Sequence, residues 1–174
     1  MTEYEVGLTA LLATIEEAEP LVGRWRERFD PSAASGVPAH VTVLAPFLNA
    51  ELLDTEVVEE LRALFGGFGA FTVRFERCAY FPDLLYLEPT PDEPFRALTE
   101  SVVERWPEAP PYAGKHPDLV PHLTVANGEE HPVLRGVESA VGPGLPVAAE
   151  VSSIGLFVYD GERWARRAEF PLHG

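Results

Sequence analysis

Two short segments of the chain combine residues that can do acid–base chemistry with residues that belong in a strand. The first reads Pro38-Ala39-His40-Val41-Thr42-Val43, and the second reads Val120-Pro121-His122-Leu123-Thr124-Val125. Because side chains alternate between the two faces of a strand, each His shares a face with the Thr two residues later, and the aliphatic residues take the other face. The pattern indicates a polar cleft that two equivalent strands build together.

Histidine and threonine suit different tasks in such a cleft. An imidazole has an unperturbed pKa of about 6.5, so it can accept or donate a proton near neutrality. A threonine hydroxyl can hydrogen-bond to an oxygen that carries charge in a transition state. A lone His in a strand is more often structural, and Thr favours strands in any context. The catalytic interpretation therefore depends on the recurrence of the pair.

Hydrophobic periodicity predicts the elements that hold the two motifs. Each motif lies in a predicted strand, at residues 40–46 and 119–126, and each follows a loop containing several prolines. Further strands are predicted at residues 4–12, 71–81, 84–88, 145–159 (interrupted near Ser152-Ser153) and 163–170. Amphipathic helices are predicted at residues 17–29, 51–65, 94–106 and 132–141.

The order of these elements repeats within the chain. Each half runs strand, helix, proline-containing loop, motif strand, helix and strand, and the spacing from Trp25 to His40 nearly equals that from Trp106 to His122. Two such units predict an α+β fold in which two small, mostly antiparallel sheets meet face to face with helices outside. We expect one domain over residues 1–174, with lobes near 1–80 and 81–174, and we leave strand exchange between the lobes open.

With these two His-x-Thr segments, the chain resembles the 2H phosphoesterase superfamily, which includes the 2′-5′ RNA ligase-like proteins and the RNA 2′,3′-cyclic phosphodiesterases. The resemblance covers essentially the whole chain and is carried by His40, Thr42, His122 and Thr124. It implies a bilobal fold with the motifs facing each other across a central cleft. It also implies that the two His form an acid–base pair, that the two Thr bind the phosphoryl group, and that hydrolysis of a 2′,3′-cyclic phosphate needs no metal or other cofactor.

The proline-rich loop at residues 108–118 offers two candidates for the rim of the cleft. Tyr112 could stack on a base, and Lys115 could reach a phosphate. A solvated loop is the alternative interpretation of both residues. Phe47, just after the first motif, could also stack on a base, but we expect it to pack in the core.

The charge of the chain restricts its partners. The formal net charge is −15 over 174 residues, whereas proteins that grip a long phosphate backbone carry basic patches. We therefore expect a small nucleotide or an RNA terminus with a cyclic phosphate as partner, and no long duplex. We expect a cytoplasmic protein without membrane association, because the chain has a single cysteine, an acidic start and no long apolar run. We also expect it to be a monomer.

Two alternative functions remain at this level. A metallohydrolase could use His40, His116, Asp118 and His122, although no typical ligand spacing supports it. A non-catalytic module could keep the cleft and bind a phosphorylated ligand without turnover. The phosphodiesterase class is better supported than an RNA substrate, because the additional basic residues common in members that act on RNA ends are missing here.

Overall fold

The computed structural model describes residues 4–114 and 119–174, and that part of the chain forms eight strands and five α-helices. The strands are β1 (Thr9–Thr14), β2 (His40–Leu44), β3 (Phe71–Phe81), β4 (Leu84–Thr90), β5 (Leu123–Asn127), β6 (Val147–Val151), β7 (Ser153–Tyr159) and β8 (Trp164–Pro171). The helices are α1 (Glu19–Phe29), α2 (Pro31–Ala34), α3 (Thr55–Gly66), α4 (Glu93–Arg105) and α5 (His131–Val141).

The strands form two four-stranded antiparallel sheets, one with the order β2-β1-β7-β8 and the other with the order β5-β4-β3-β6. In both sheets the motif strand lies at an edge and pairs with the strand that precedes it in its half of the chain. The predicted α+β class, with two small antiparallel sheets facing a central cleft and helices outside, is confirmed.

The sheets do not follow the order of the chain. The first sheet combines β1 and β2 with β7 and β8, and the second sheet contains β3 to β6. Residue 80 lies inside the second sheet, where Tyr80 pairs with Leu85. The two sheets are therefore built with strands exchanged between the halves of the sequence. The predicted break near Ser152 is the point where the chain passes from one sheet to the other.

The aliphatic faces of the two motif strands share one hydrophobic core. Val41, Val43, Leu123 and Val125 are each at most 1% exposed, and all belong to a single cluster that spans both sheets. The His and Thr positions between them are half-buried, as the alternation predicts. Burial of the aliphatic face thus fixes which face of each strand carries the polar residues.

The long helix that precedes each motif strand packs against the motif strand of the other half. Helix α1 contacts β5, and helix α4 contacts β2. On the second of these contacts, the buried Thr99 hydroxyl donates to the Val43 carbonyl at 2.6 Å, which satisfies a backbone group on an edge strand. No helix in the described ranges is long and apolar enough to cross a membrane.

The opening strand differs from its prediction. It was expected at residues 4–12, but β1 runs from Thr9 to Thr14. The chain turns before it, since Gly7 has a φ of +92° and Leu8 N–H donates to the Glu5 carbonyl at 3.1 Å. Glycine takes this left-handed conformation without a Cβ clash, so the apolar residues before it belong to a turn.

The second motif strand begins later than predicted. It was expected from residue 119, but β5 starts at Leu123, so His122 directly precedes the strand. Pro121 lacks a backbone N–H and cannot join the ladder as a donor, which explains why pairing begins only after it. The proline-containing loop expected before the first motif strand also contains the short helix α2, which Asp30 caps by accepting from Ser32 N–H.

Replacing Thr99 should test the contact between α4 and β2. Thr99→Val keeps the shape of the side chain but leaves the Val43 carbonyl without its buried donor, so we expect the unfolding free energy to fall by about 1–3 kcal/mol. Urea denaturation would measure it. Thr99→Ser keeps the hydroxyl and should lose less, and a Thr99→Val variant as stable as the wild type would show that the hydrogen bond contributes nothing.

Candidate active site

The two motif histidines are held in the same way. His40 Nδ1 lies 2.8 Å from the Pro38 carbonyl oxygen, and His122 Nδ1 lies 2.7 Å from the Val120 carbonyl oxygen. A carbonyl can only accept, so Nδ1 is the donor in each ring, and the neutral imidazole carries its free lone pair on Nε2. Both rings are therefore oriented by the backbone two residues earlier, with Nε2 left for proton transfer.

His122 lies close enough to His40 to influence its pKa. Strands β2 and β5 are in contact, and a charge on His122 lowers the pKa of His40. The pKa of His40 is lowered from 6.5 to about 4, mainly by burial and then by the Arg26 guanidinium, while the Pro38 hydrogen bond and the Asp30 carboxylate act in the opposite direction. Burial also lowers the pKa of His122, and its bond to the Val120 carbonyl opposes this shift.

A buried ion pair stabilises the loop that leads to His40. Arg26 is 2% exposed, binds the Asp30 carboxylate at 3.1 Å, and donates to the Val37 carbonyl at 3.0 Å. Glu19 completes the network, since its carboxylate accepts from Ala39 N–H at 2.6 Å. Helix α1 thereby holds Val37 and Ala39, the residues on either side of Pro38, whose carbonyl orients His40.

Three aromatic rings contact the imidazole of His122. Phe81 and Tyr86 meet its ring edge to face at centroid distances of 5.2 and 5.5 Å, and Tyr112 stacks on it at 6.5 Å. Tyr86 is 7% exposed and packs against Phe81 at 4.6 Å. These contacts restrict the rotation of the imidazole and account for its burial.

The two threonines occupy equivalent register positions. Thr42 lies opposite Leu12 on β1, and Thr124 lies opposite Tyr86 on β4. Both threonines are half-buried. Since directly opposed residues share a face, Thr124 has Tyr86 beside it, whereas Thr42 has an aliphatic neighbour.

Of the two predicted rim residues, the structure describes Tyr112. The structure brings the Tyr112 ring to His122, and its backbone N–H donates to the Ala45 carbonyl, just after β2, at 2.7 Å. Tyr112 has a φ of +53°, a left-handed value that is uncommon for a residue with a side chain. Tyr112 thus contacts both motif regions. Lys115 lies outside the described residues.

Phe47 is a core residue, as expected. It is 5% exposed and meets Trp106 edge to face at 5.3 Å. It is therefore not available to stack on a base.

The arrangement offers no metal site in the described ranges. Across residues 4–114 and 119–174, no group of three or more His, Cys, Asp or Glu side chains could hold a metal ion. The alternative metal site included His116 and Asp118, which lie outside these ranges.

Sequence reasoning missed Arg26, Asp30, Phe81 and Tyr86. The first two are an i,i+4 pair at the end of a predicted helix, a spacing that signals an ion pair but not its burial. Phe81 and Tyr86 lie in two predicted strands that form a hairpin, but their approach to His122 depends on the pairing of β4 with β5.

Comparisons with known proteins agree with this geometry. A model of the 2′-5′ RNA ligase superfamily matches residues 14–163. A protein of Bacillus pumilus (strain SAFR-032) named "Putative phosphoesterase" is 29% identical over 123 residues, which cover 67% of this chain and 68% of that protein.

Two solved structures share the fold. Escherichia coli LigT complexed with 3′-AMP matches with a TM-score of 0.64 at 15% identity, covering 98% of this chain and 100% of that chain. TT0787 of Thermus thermophilus matches with a TM-score of 0.64 at 18% identity, covering 96% of this chain and 98% of that chain.

The partial burial of His40 should make the protein sensitive to acid. Because its folded pKa is about 4, below its unfolded value of 6.5, the unfolded state binds the proton more readily. Stability from the neutral ring is present above pH 6.5 and is lost as the pH falls toward 4. We expect His40→Asn, which keeps a donor and does not titrate, to reduce the loss of unfolding free energy between pH 7 and pH 4 by about 1–3 kcal/mol.

Urea denaturation at several pH values would measure this difference. His131→Asn is the matched control, because His131 stacks on Tyr80 and contacts neither motif. Equal pH dependence in the wild type and in His40→Asn would show that burial does not depress the His40 pKa.

Proposed function

The chain belongs to the 2′-5′ RNA ligase superfamily, and on that premise we propose that it is a metal-independent phosphoesterase. Its proposed substrate is a 2′,3′-cyclic phosphate, or a related phosphodiester, on a nucleotide or an RNA end. The observation that carries the proposal is the pair of imidazoles on adjoining motif strands, each with Nδ1 bonded to a carbonyl and Nε2 left for proton transfer.

Hydrolysis needs one group to take a proton and another to give one. In the proposed reaction, one of His40 and His122 removes a proton from water while the water oxygen bonds to phosphorus. The bond from phosphorus to one ribose oxygen breaks, and the other histidine protonates that oxygen. The product is a 2′- or a 3′-phosphomonoester, and which histidine acts as base depends on the orientation of the ribose.

Charge builds on the non-bridging oxygens during this displacement. We propose that the hydroxyls of Thr42 and Thr124 donate hydrogen bonds to these oxygens. The half-burial of both residues supports the role, since hydrogen bonds to charge are stronger where water is partly excluded.

A small nucleotide partner is supported by the fold neighbours. LigT was crystallised with 3′-AMP, with ATP and with NADP+. Tyr112, stacked on His122, is proposed to form one wall for the nucleotide. The monomeric state, the cytoplasmic location and the absence of a cofactor stay predictions.

Hydrolysis of the four nucleoside 2′,3′-cyclic monophosphates in EDTA would test the proposal. We expect turnover by the wild type and a loss of about 10²–10⁴-fold in kcat for His40→Ala and for His122→Ala, the usual contribution of a general acid or base. His131→Ala is the matched control and should retain activity. The position of the product phosphate, read by 31P NMR, would give the orientation of the ribose.

Two results would contradict the proposal. Activity that EDTA removes would indicate a metal-dependent enzyme. Binding of a cyclic nucleotide by the folded wild type without turnover, and with little loss in His40→Ala, would indicate the non-catalytic module.

The pH dependence of kcat/KM gives a separate test. The reaction needs one neutral and one protonated histidine, and the pKa values of both are lowered from 6.5. Activity should therefore fall at high pH because the acid is lost, and at low pH because the base is protonated. We expect a bell-shaped profile with its maximum below pH 6.5, measured at constant ionic strength with folding checked by circular dichroism. A plateau from pH 6.5 to 8 would contradict it.

A further inference from the structure

Two grooves extend from the motif strands, and carboxylates line both. The first, which we name the β1-end groove, has a volume of about 580 Å³ and is lined by Thr14, Glu16, Glu17, Glu150, Arg166 and Glu169, among others. Thr14 lies directly opposite His40 in the β1–β2 register. Opposed residues share a face of the sheet, so this groove begins beside the first motif.

The second groove begins beside His122. This β4-end groove has a volume of about 360 Å³ and is lined by Glu88, Asp92, Glu93, Val120 and Tyr86, among others. The Val120 carbonyl is the acceptor that orients His122, and Tyr86 packs against the His122 ring. The groove is therefore continuous with the second half of the site.

The grooves occupy equivalent places in the duplicated fold. Strand β1 pairs with the first motif strand and β4 with the second, and each of the two ends in a threonine, Thr14 or Thr90. Acidic residues follow each threonine, at Glu16 and Glu17 in one half and at Asp92 and Glu93 in the other. A polymer leaving the cleft beside either motif would thus meet carboxylates.

Arginines in the described part of the chain pair with carboxylates at both grooves. In the β1-end groove, Arg166 pairs with Glu169 at 2.9 Å. In the β4-end groove no basic side chain is among the described lining residues. Glu88 binds Arg77 at 3.1 Å, and Asp92 binds Arg96 at 2.9 Å. Proteins that hold single-stranded nucleic acid do the opposite, since they track the backbone with a positively charged groove.

We infer that the site selects cyclic phosphodiesters of single-nucleotide size and rejects the same cyclic phosphate at the end of a longer RNA. The inference rests on the proposed function and makes the groove carboxylates its specificity determinants. A mononucleotide places its one phosphate between the motifs. Every further phosphate of an RNA chain would bring a negative charge toward Glu16, Glu17 and Glu150 in the β1-end groove, or toward Glu93 in the β4-end groove.

The test compares kcat/KM for cytidine 2′,3′-cyclic monophosphate with kcat/KM for a hexaribonucleotide that ends in the same cyclic nucleotide. We expect the wild type to prefer the mononucleotide, and the preference to grow when salt is lowered from 0.2 to 0.02 M, because repulsion is then less screened. A basic groove would give the opposite salt dependence. Turnover of neither substrate would contradict the proposed hydrolysis of 2′,3′-cyclic phosphates, independently of the grooves. Turnover of the hexamer alone would overturn only the present inference.

Two double variants test which groove discriminates against the hexamer. Glu17→Gln/Glu150→Gln neutralises part of the β1-end groove. Glu88→Gln/Glu93→Gln removes the Glu93 charge from the β4-end groove and frees Arg77 from its pair with Glu88. We expect at least one pair to raise the ratio of hexamer to mononucleotide kcat/KM by about three- to tenfold at low salt, the range expected for removing charges about 10 Å from a phosphate. The pair that does so also shows the direction in which the RNA chain leaves.

The matched control is Glu56→Gln/Glu100→Gln, which removes the same charge from exposed positions on α3 and α4 that line neither groove. It should leave the ratio unchanged, which separates local repulsion from the net charge of the protein. The inference is overturned if the wild type uses both substrates equally or prefers the hexamer. It is also overturned if neither groove pair changes the ratio more than the control does.

Discussion

The structure depends on the reciprocal packing of two helices, each against the motif strand of the other half. Helix α1 covers β5 and α4 covers β2, so the aliphatic faces of both motif strands are sealed in one core. Neither strand can turn over without exposing two buried aliphatic residues, at about 1.5–3 kcal/mol each. The His and Thr side chains are consequently held on the opposite face of their strands.

The two motifs are alike in backbone and unlike in surroundings. Each histidine bonds to the carbonyl two residues earlier, yet His40 has the buried guanidinium of Arg26 in its vicinity whereas His122 lies among aromatic rings. Because the causes of the two pKa shifts differ, substitutions can adjust one histidine without the other. A duplicated fold can in this way supply two titrating groups with distinct properties.

Much of this architecture could be predicted from the sequence, because strand alternation and helix periodicity are local. Alternation placed His40 and Thr42 on the strand face that points away from the shared core, and periodicity located the four longer helices. Contacts between distant segments could not be predicted in this way. The approach of Phe81 to His122 depends on the pairing register of β4 and β5. The burial of Arg26 depends on the position of the segment that carries the Val37 carbonyl, which accepts a hydrogen bond from the guanidinium. The early start predicted for β5 was wrong, because Pro121 has no backbone N–H with which to pair as a donor.

The composition of the first sheet has a consequence for how the protein is made. Strand β1 lies between β2 and β7. Because β7 follows β2 to β6 in the chain, β1 gains its second neighbour only after all of these strands have been synthesised. Until β7 is added, the edge of β1 that faces away from β2 has no partner strand, and an unpaired edge of this kind invites pairing with other chains. The second sheet contains only β3 to β6, so all of its strands are synthesised before β7 and β8. It can therefore form first, and the first sheet can then assemble against it.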